Sequence, residues 1–324
     1  MPENFEMQAD FSIFVRMDNG EIIIYRTADG ETRLEVRMEN DSVWLTQAQI
    51  AQRLNVSRPS VSKMLARARE LGIVHIEIRA GDEGKADLLQ RLQSKYALAG
   101  GCVLTDEQDA LTQAMHYLMA ETTADKSLAL GWGYALGEVV LKAADCSSYT
   151  QDGMVYPLIG TANFPNKGYH PDELVKIWAS ACGRSCYMLG CSAFPDSEEE
   201  RAELESRSVY QQLLQQWQSL DAAVVSVCDY PAVPDEATAT RFGNALEQQK
   251  AVGSFLSYYY NQRGEFISGN NDYCLHIPLA QLRRCKKLIG IGLNAGNKAL
   301  VGALATGLFT HLIVSEEQAK ALLK

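Results

Sequence analysis

Residues 46–79 read TQAQIAQRLNVSRPSVSKMLARARELGIVHIEIR, and the spacing is that of two short helices followed by a strand. Ile50, Ala51 and Leu54 form the inner stripe of a first helix, Val56 is placed to plug the turn, and Val61, Met64 and Leu65 form the inner stripe of a second. Two helices crossing at a steep angle need a small side chain where they touch, and Ala51 supplies it. Asn55 opens the turn, where a left-handed residue is usual and Asn tolerates that conformation. Ser57 is a good N-cap for the second helix, and Pro59 fits its first turn, where a missing N–H costs nothing. Burying the stripe leaves Arg58, Ser60, Ser62 and Lys63 pointing outward, as a helix entering the major groove requires.

Apolar residues at this spacing also occur in ordinary helical hairpins. Two features weigh against that reading. Gly72 stops the second helix, and Ile73 to Arg79 then alternates as a strand with Val74, Ile76 and Ile78 on one face, which is a wing. The charge is also local: in 46–80 six basic residues against two acidic ones leave +4, whereas the whole chain carries −10, so the rest carries −14. Phosphates attract such a basic island, and the acidic body discourages indiscriminate binding of polyanions. Residues 43–80 are therefore expected to form a winged helix-turn-helix that binds double-stranded DNA. Its candidate contacts are Gln47, Ser57, Arg58, Ser60, Ser62, Lys63 and Arg67.

A chain of 324 residues is long enough for two or three domains, and 47% hydrophobic with 22% charged residues is ordinary for a soluble protein. The first twenty residues are polar and acidic rather than basic then apolar. The longest apolar stretch, Ala299 to Val314, is short for a membrane span and is interrupted by Thr306, Thr310 and His311. A cytoplasmic protein without a membrane partner is expected. Cys182, Cys186 and Cys191 cluster, but their gaps match no usual zinc pairing and no histidine lies among them. Most of the eight cysteines read as small buried hydrophobes. No metal and no cofactor is expected.

In residues 1–42, Glu21 to Arg26 and Thr32 to Met38 are β-rich runs around Asp29-Gly30, a hairpin signal, where a first supporting helix would be usual. Residues 81–99 read as a linker helix whose stripe, Leu88, Leu89, Leu92 and Tyr96, suits either another subunit or the following domain. From Gly100 to Lys324, strands at 101–105, 127–131, 154–159, 185–190, 222–228, 288–292 and 310–314 alternate with amphipathic segments. Those segments run at about 108–123, 134–144, 171–183, 198–218, 236–248, 297–306 and 315–323. That rhythm implies a doubly wound, mostly parallel α/β sheet, with ligands beyond the carboxyl ends of its strands.

Three strand exits stand out. One runs through Gly131, Trp132 and Gly133 into a helix beginning near Tyr134 and Ala135, where free N–H groups and a helix dipole suit a phosphate; any tight β–α turn looks similar. A second ends in Gly160, Thr161, Ala162 and Asn163, residues suited to hydrogen-bonding a sugar or simply to turning the chain. The third carries Lys298 to a helix start, where it pairs with a phosphate or is merely solvated. Proton transfer beside a carbonyl needs a poised carboxylate or histidine, and Trp132, Tyr134, Thr161 and Asn163 offer neither, so no enzyme is expected. His311, inside an apolar strand, reads as a satisfied core residue.

The layout over 46–324 resembles the SorC family of bacterial transcriptional regulators. The stretches carrying the resemblance are LTQAQIAQRLNVSRPSVSKMLARARELGIVHIEI, LALGWGYAL, VYPLIGT, SLDAAVVSV, KAVGSFLSYYYNQRGEF, IPLAQLRRCKKLIGIG and GALATGLFTHLIVSEEQAKALL. The resemblance implies a C-terminal domain related to sugar-phosphate isomerases, a phosphorylated sugar as effector, control of a carbohydrate operon, and a homo-oligomer, usually a tetramer. The chain departs from the family pattern in places. Thr161 stands where a second glycine is usual, Ser254 where an aspartate follows Val-Gly, and the family lysine falls on Gly296, two places before Lys298. EIIIYRTADGETRLEVRMENDSVWLTQAQIA resembles instead the opening of RhuM-like proteins. Two other readings stand beside the regulator: an isomerase-like enzyme with an appended interaction domain, and a DNA-binding protein that has lost effector sensing.

Overall fold

The segment Ala222–Ser226, AAVVS, is buried at every position, the pattern of a strand covered on both faces rather than one. The computed structural model describes residues 82–104, 110–144, 151–162, 170–231 and 236–324, four short strands between 23 and 43, and residues 56, 57, 60 and 63. The chain divides into two compact units, Met1–Ala80 and Gly81–Lys324.

In the first unit β1 (Ile23–Arg26) pairs antiparallel with β2 (Arg33–Val36), Ile23 opposite Val36 and Arg26 opposite Arg33. A second pair joins β3 (Met38–Glu39) to β4 (Ser42–Val43). Ser57 Oγ accepts the Ser60 N–H at 3.3 Å, the bond an N-cap makes to the third residue of its helix. Val56, expected to plug the turn, is 37% exposed and lies just before the capping serine. The remaining helix-turn-helix positions, the wing at 73–79 and the turn at Asp29-Gly30 lie outside the described residues.

The second unit is built on seven strands: β5 (Gly100–Leu104), β6 (Ser127–Leu130), β7 (Met154–Pro157), β8 (Ser185–Cys186) and β9 (Ala222–Ser226), followed, after a separate small sheet of β10 (Cys228–Asp229), β11 (Ala251–Phe255), β12 (Tyr258–Asn261) and β13 (Phe266–Ile267), by β14 (Lys287–Ile291) and β15 (His311–Ser315). The seven lie in the order β5-β15-β14-β9-β6-β7-β8, and every pairing is parallel. Helices Ala110–Glu121, Tyr134–Ala143 and Pro171–Cys182 cover one face through Met115, Leu118, Leu136, Val139 and Trp178. The opposite face is covered by Asp82–Tyr96, Ser208–Gln216, Asn297–Ala305 and Glu316–Leu323. The doubly wound, mostly parallel architecture expected from the sequence is the one observed.

The stripe of helix Asp82–Tyr96 turns toward its own chain. Leu88 and Leu92 are buried in the body, and Lys95 Nζ and Tyr96 Oη both donate to the Leu322 carbonyl, at 2.7 and 2.9 Å. Full burial of a leucine contributes about 1.5–3 kcal/mol, enough to hold the helix down.

Several features differ from the sequence expectation, among them β8, which is only Ser185–Cys186 where a strand over 185–190 was expected. The antiparallel sheet β10-β11-β12-β13 was not foreseen, because its central hairpin turns at Leu256 and Ser257, with φ 50° and 63°, instead of at the Asn-Gly or Asp-Gly that announces such a turn. The helix expected over 198–218 breaks at Arg207, which is extended, into Glu198–Ser206, Ser208–Gln216 and a 3₁₀ turn, Trp217–Ser219. Leu204 and Tyr210 would lie about 120° apart round one continuous helix, and the break lets both reach the core. The segment 236–248 is likewise two helices, Glu236–Phe242 and Ala245–Gln248.

Candidate functional site

Strands β7 and β8 extend the sheet to one side of β6, while β9, β14 and β15 extend it to the other. The winding direction therefore reverses between β6 and β9, and in open parallel sheets the crevice beyond the carboxyl ends at such a reversal is where ligands bind. Here those ends carry Gly131–Gly133 and Ser226. Gly131 N–H donates to the Val224 carbonyl at 2.9 Å, continuing the pairing one residue past β6. Gly133 has φ 121°, and a Cβ there would lie 2.6 Å from Cβ of Ser226. This close approach lets Ser226 Oγ accept the Leu136 N–H at 2.9 Å, so β9 caps a helix that begins after β6.

The second exit lies beside the first, since Leu130 is paired with Pro157. It is held from two sides: Gly160 N–H donates to Leu275 O at 2.9 Å, Thr161 N–H to Cys191 O at 2.8 Å, and Ala193 N–H to Thr161 O at 2.6 Å. A Cβ at Gly160 would sit 2.8 Å from the Ser192 and Ala193 backbone, so this packing requires glycine. The Thr161 hydroxyl is spent on Cys191 O at 3.0 Å.

The loop that grips Thr161 continues to Phe194, whose ring centre is 5.6 Å from that of Trp132. Over the Phe194 ring, 4.5 Å from its centre, lies the Arg241 guanidinium. Arg241 is only 5% exposed; its Nε and Nη2 donate to Oδ1 of Asp272 at 2.9 and 2.7 Å. Two residues beyond Cys274, His276 pairs with Ile159, stacks on Tyr258 at 3.9 Å between ring centres, and places Nδ1 2.7 Å from Leu256 O. Burial pushes the His276 imidazole down to about 4 and the Cys274 thiol up to about 12, so both are neutral near pH 7. The crevice thus has aromatic, amide and hydroxyl groups with a buried ion pair at its side.

Of the sequence candidates, Gly131, Trp132, Gly133, Tyr134 and Ala135 lie at the first exit, and Gly160, Thr161 and Ala162 at its neighbour; Asn163 is outside the described residues. Lys298 is placed elsewhere. It is exposed, on helix Asn297–Ala305, and lines a cleft of about 870 Å³ with Asp229, Lys250, Asn261, Arg263 and Gly296. The described lining of that cleft includes none of 131–135 or 160–162. Among the DNA candidates, Lys63 is exposed on its helix, Ser57 is exposed and Ser60 half-buried; Gln47, Arg58, Ser62 and Arg67 are outside the described residues. Sequence reasoning missed Ser226, Phe194, Arg241 and Asp272, which share no motif and meet only through the fold. His311 is a satisfied core residue, with Nδ1 2.8 Å from Thr310 Oγ1 and Nε2 3.5 Å from Glu121.

Comparison with known proteins fits this arrangement. Residues 82–324 match the family described as "Putative sugar-binding domain", and residues 34–83 match the MarR family. The chain is 26% identical to the sorbitol operon regulator of Klebsiella pneumoniae over 86% of its own length and 93% of the relative's. It is 24% identical to the deoxyribonucleoside regulator of Bacillus subtilis over 86% and 92%. The crystal structure of full-length SorC from Klebsiella pneumoniae superposes with a TM-score of 0.70 at 25% identity, covering 86% of this chain and 94% of that one. A probable sor operon regulator from Shigella flexneri, at 20% identity, shares the fold with a TM-score of 0.65 over 74% and 99%. A MarR-type helix-turn-helix joined to a sugar-binding α/β domain defines the class: a transcriptional regulator. The chain belongs to the SorC family. Among the described residues no helix is long and apolar enough to cross a membrane.

Proposed function

We propose that the chain regulates a carbohydrate-utilisation operon and that a phosphorylated sugar, bound across 131–135 and 160–163, controls its affinity for operator DNA. The observation that carries this reading is the convergence, at the winding reversal, of a glycine-flanked helix start with the neighbouring exit at Gly160–Ala162. The relatives named for sorbitol and deoxyribonucleosides make sugar derivatives the first ligands to try. The protein acts as a homo-oligomer, dimer or tetramer, through contacts of Gln47, Ser57, Arg58, Ser60, Ser62, Lys63 and Arg67 with DNA. We read it as a sensor and not an enzyme, since among the described residues no carboxylate or free imidazole stands at the two exits; His276, the described histidine closest along the pairing, has Nδ1 committed to Leu256. The effector acts by binding one DNA-affinity state better than the other, and the response is bounded by that difference.

The experiment is operator-fragment binding at fixed salt, with and without sorbitol 6-phosphate, 2-deoxyribose 5-phosphate and their unphosphorylated parents. A change in operator affinity with a phosphorylated sugar, absent with its parent, is the expected result. Failure of every sugar phosphate to change either DNA affinity or thermal stability would overturn the sensor role.

A further inference from the structure

Arginine carries five N–H donors, and a buried one is normally spent on acceptors. Arg241 spends Nε and Nη2 on a single carboxylate oxygen, Asp272 Oδ1, while its buried Nη1 has no acceptor among the described residues. A side-by-side fork would have used both oxygens of Asp272. Instead the guanidinium is held off-centre, fixed by Asp272 on one side and by the Phe194 ring below. A buried, charged donor costs free energy unless an acceptor takes it up, so its position calls for an explanation. Phe194 touches Trp132, which follows Gly131 at the winding reversal, and the same loop grips Thr161. Arg241 therefore stands one ring away from the crevice.

At the third strand exit Gly296 precedes helix Asn297–Ala305. Its N–H donates to Asp229 Oδ1 at 2.8 Å, and a side chain there would start 3.0 Å from that carboxylate. Lys298 is exposed in the other cleft. Lys298 thus stands apart from the crevice, while a buried cation whose Nη1 has no acceptor among the described residues stands at Phe194.

We infer that Arg241, positioned by Asp272 and Phe194, is the anion anchor of the effector crevice, its Nη1 donating to a phosphate oxygen of the bound ligand. The ligand class is a small phosphomonoester with its polar body toward Gly131–Ala135 and Thr161. This assignment rests on the sugar-phosphate reading for the identity of the ligand, but not for the presence of an anion site.

The test uses the full chain and two probes. The first is tungstate, an inorganic phosphate mimic located by its anomalous scattering in crystals; the peak is expected within hydrogen-bond distance of Arg241 Nη1. The second is titration of sorbitol 6-phosphate and 2-deoxyribose 5-phosphate into wild type, Arg241→Gln, the charge-balanced double variant Arg241→Gln with Asp272→Asn, and Lys298→Ala. The two Arg241 variants should lose on the order of tenfold or more in affinity, the worth of a charge-assisted hydrogen bond, while Lys298→Ala changes little. The double variant, which leaves no buried charge unpaired, covers the case in which the single one does not fold. Tungstate seated elsewhere, or a folded double variant that binds the phosphosugar as wild type does, would overturn the assignment. Tungstate at Arg241 with no sugar phosphate bound by wild type would uphold the anchor and overturn the sugar reading.

Discussion

Ser226 Oγ accepts the Leu136 N–H at 2.9 Å, so the last residue of β9 caps the helix that leaves β6. The bond is possible because nothing larger than the hydrogen of Gly133 lies between the two elements. Gly133→Ala is accordingly expected to cost about 2–5 kcal/mol, combining a backbone conformation reserved for glycine with a clash against Ser226. Ser226→Ala should cost only about 1 kcal/mol, a lost cap. Urea denaturation of both variants checks the ranking, and equal losses would sink it.

Leu92 is buried between its helix and the body, so Leu92→Ala should destabilise the second unit by about 2–5 kcal/mol. The competing idea, a stripe that serves another subunit, predicts a change in oligomeric state at nearly unchanged stability. Sedimentation run beside denaturation separates them.

Stability should fall with acid in two windows. His276 has a pKa lowered from the ordinary 6.5 to about 4, chiefly by burial, so below pH 6.5 the unfolded chain takes up a proton that the folded one refuses. Its contribution is full above pH 6.5 and is lost on the way down to pH 4, on the order of 3 kcal/mol in all. Asp221, held down to about 2 against burial by hydrogen bonds from Lys286, Ser127 and the Lys126 N–H, contributes above its unfolded value of 3.8 and loses that contribution toward pH 2. Denaturation of His276→Gln across pH 4–7 should remove the upper slope and leave the lower one. An unchanged slope between pH 6.5 and 4 would show that other groups cause it.

Lys63 is exposed on the helix that Ser57 caps. If it contacts a phosphate, Lys63→Ala should weaken binding evenly across DNA sequences and reduce the salt slope by about 1. A loss of about 1–3 kcal/mol confined to one base position would instead mark it as a base reader. Binding isotherms over a salt series with a substituted operator set distinguish the two, and no change at all would remove Lys63 from the interface.

Much of the second unit was legible because a doubly covered strand leaves a continuous apolar run. SLAL at 127–130 and AAVVS at 222–226 have no alternation to confuse them with a half-exposed sheet, and glycine at 131 and 133 marks the turn that follows. The antiparallel sheet was not legible, because Leu256 and Ser257 make the hairpin turn in a left-handed conformation that their identities do not announce. The partner of the 81–99 stripe was undecided for a different reason: a stripe records that something covers it, not what.

The sequence by itself determined the strands of the large sheet and most of the helices that cover it, that this sheet is parallel, and where two of its strands end in small residues, because burial and backbone freedom are local and leave local patterns. Only the tertiary structure decided that Ser226 caps a helix ninety residues earlier in the chain, that Phe194 lies between Trp132 and Arg241, and that Lys298 faces a separate cleft. Those relations join residues far apart along the chain, and they are set by strand order and loop path, which no single stretch of residues encodes.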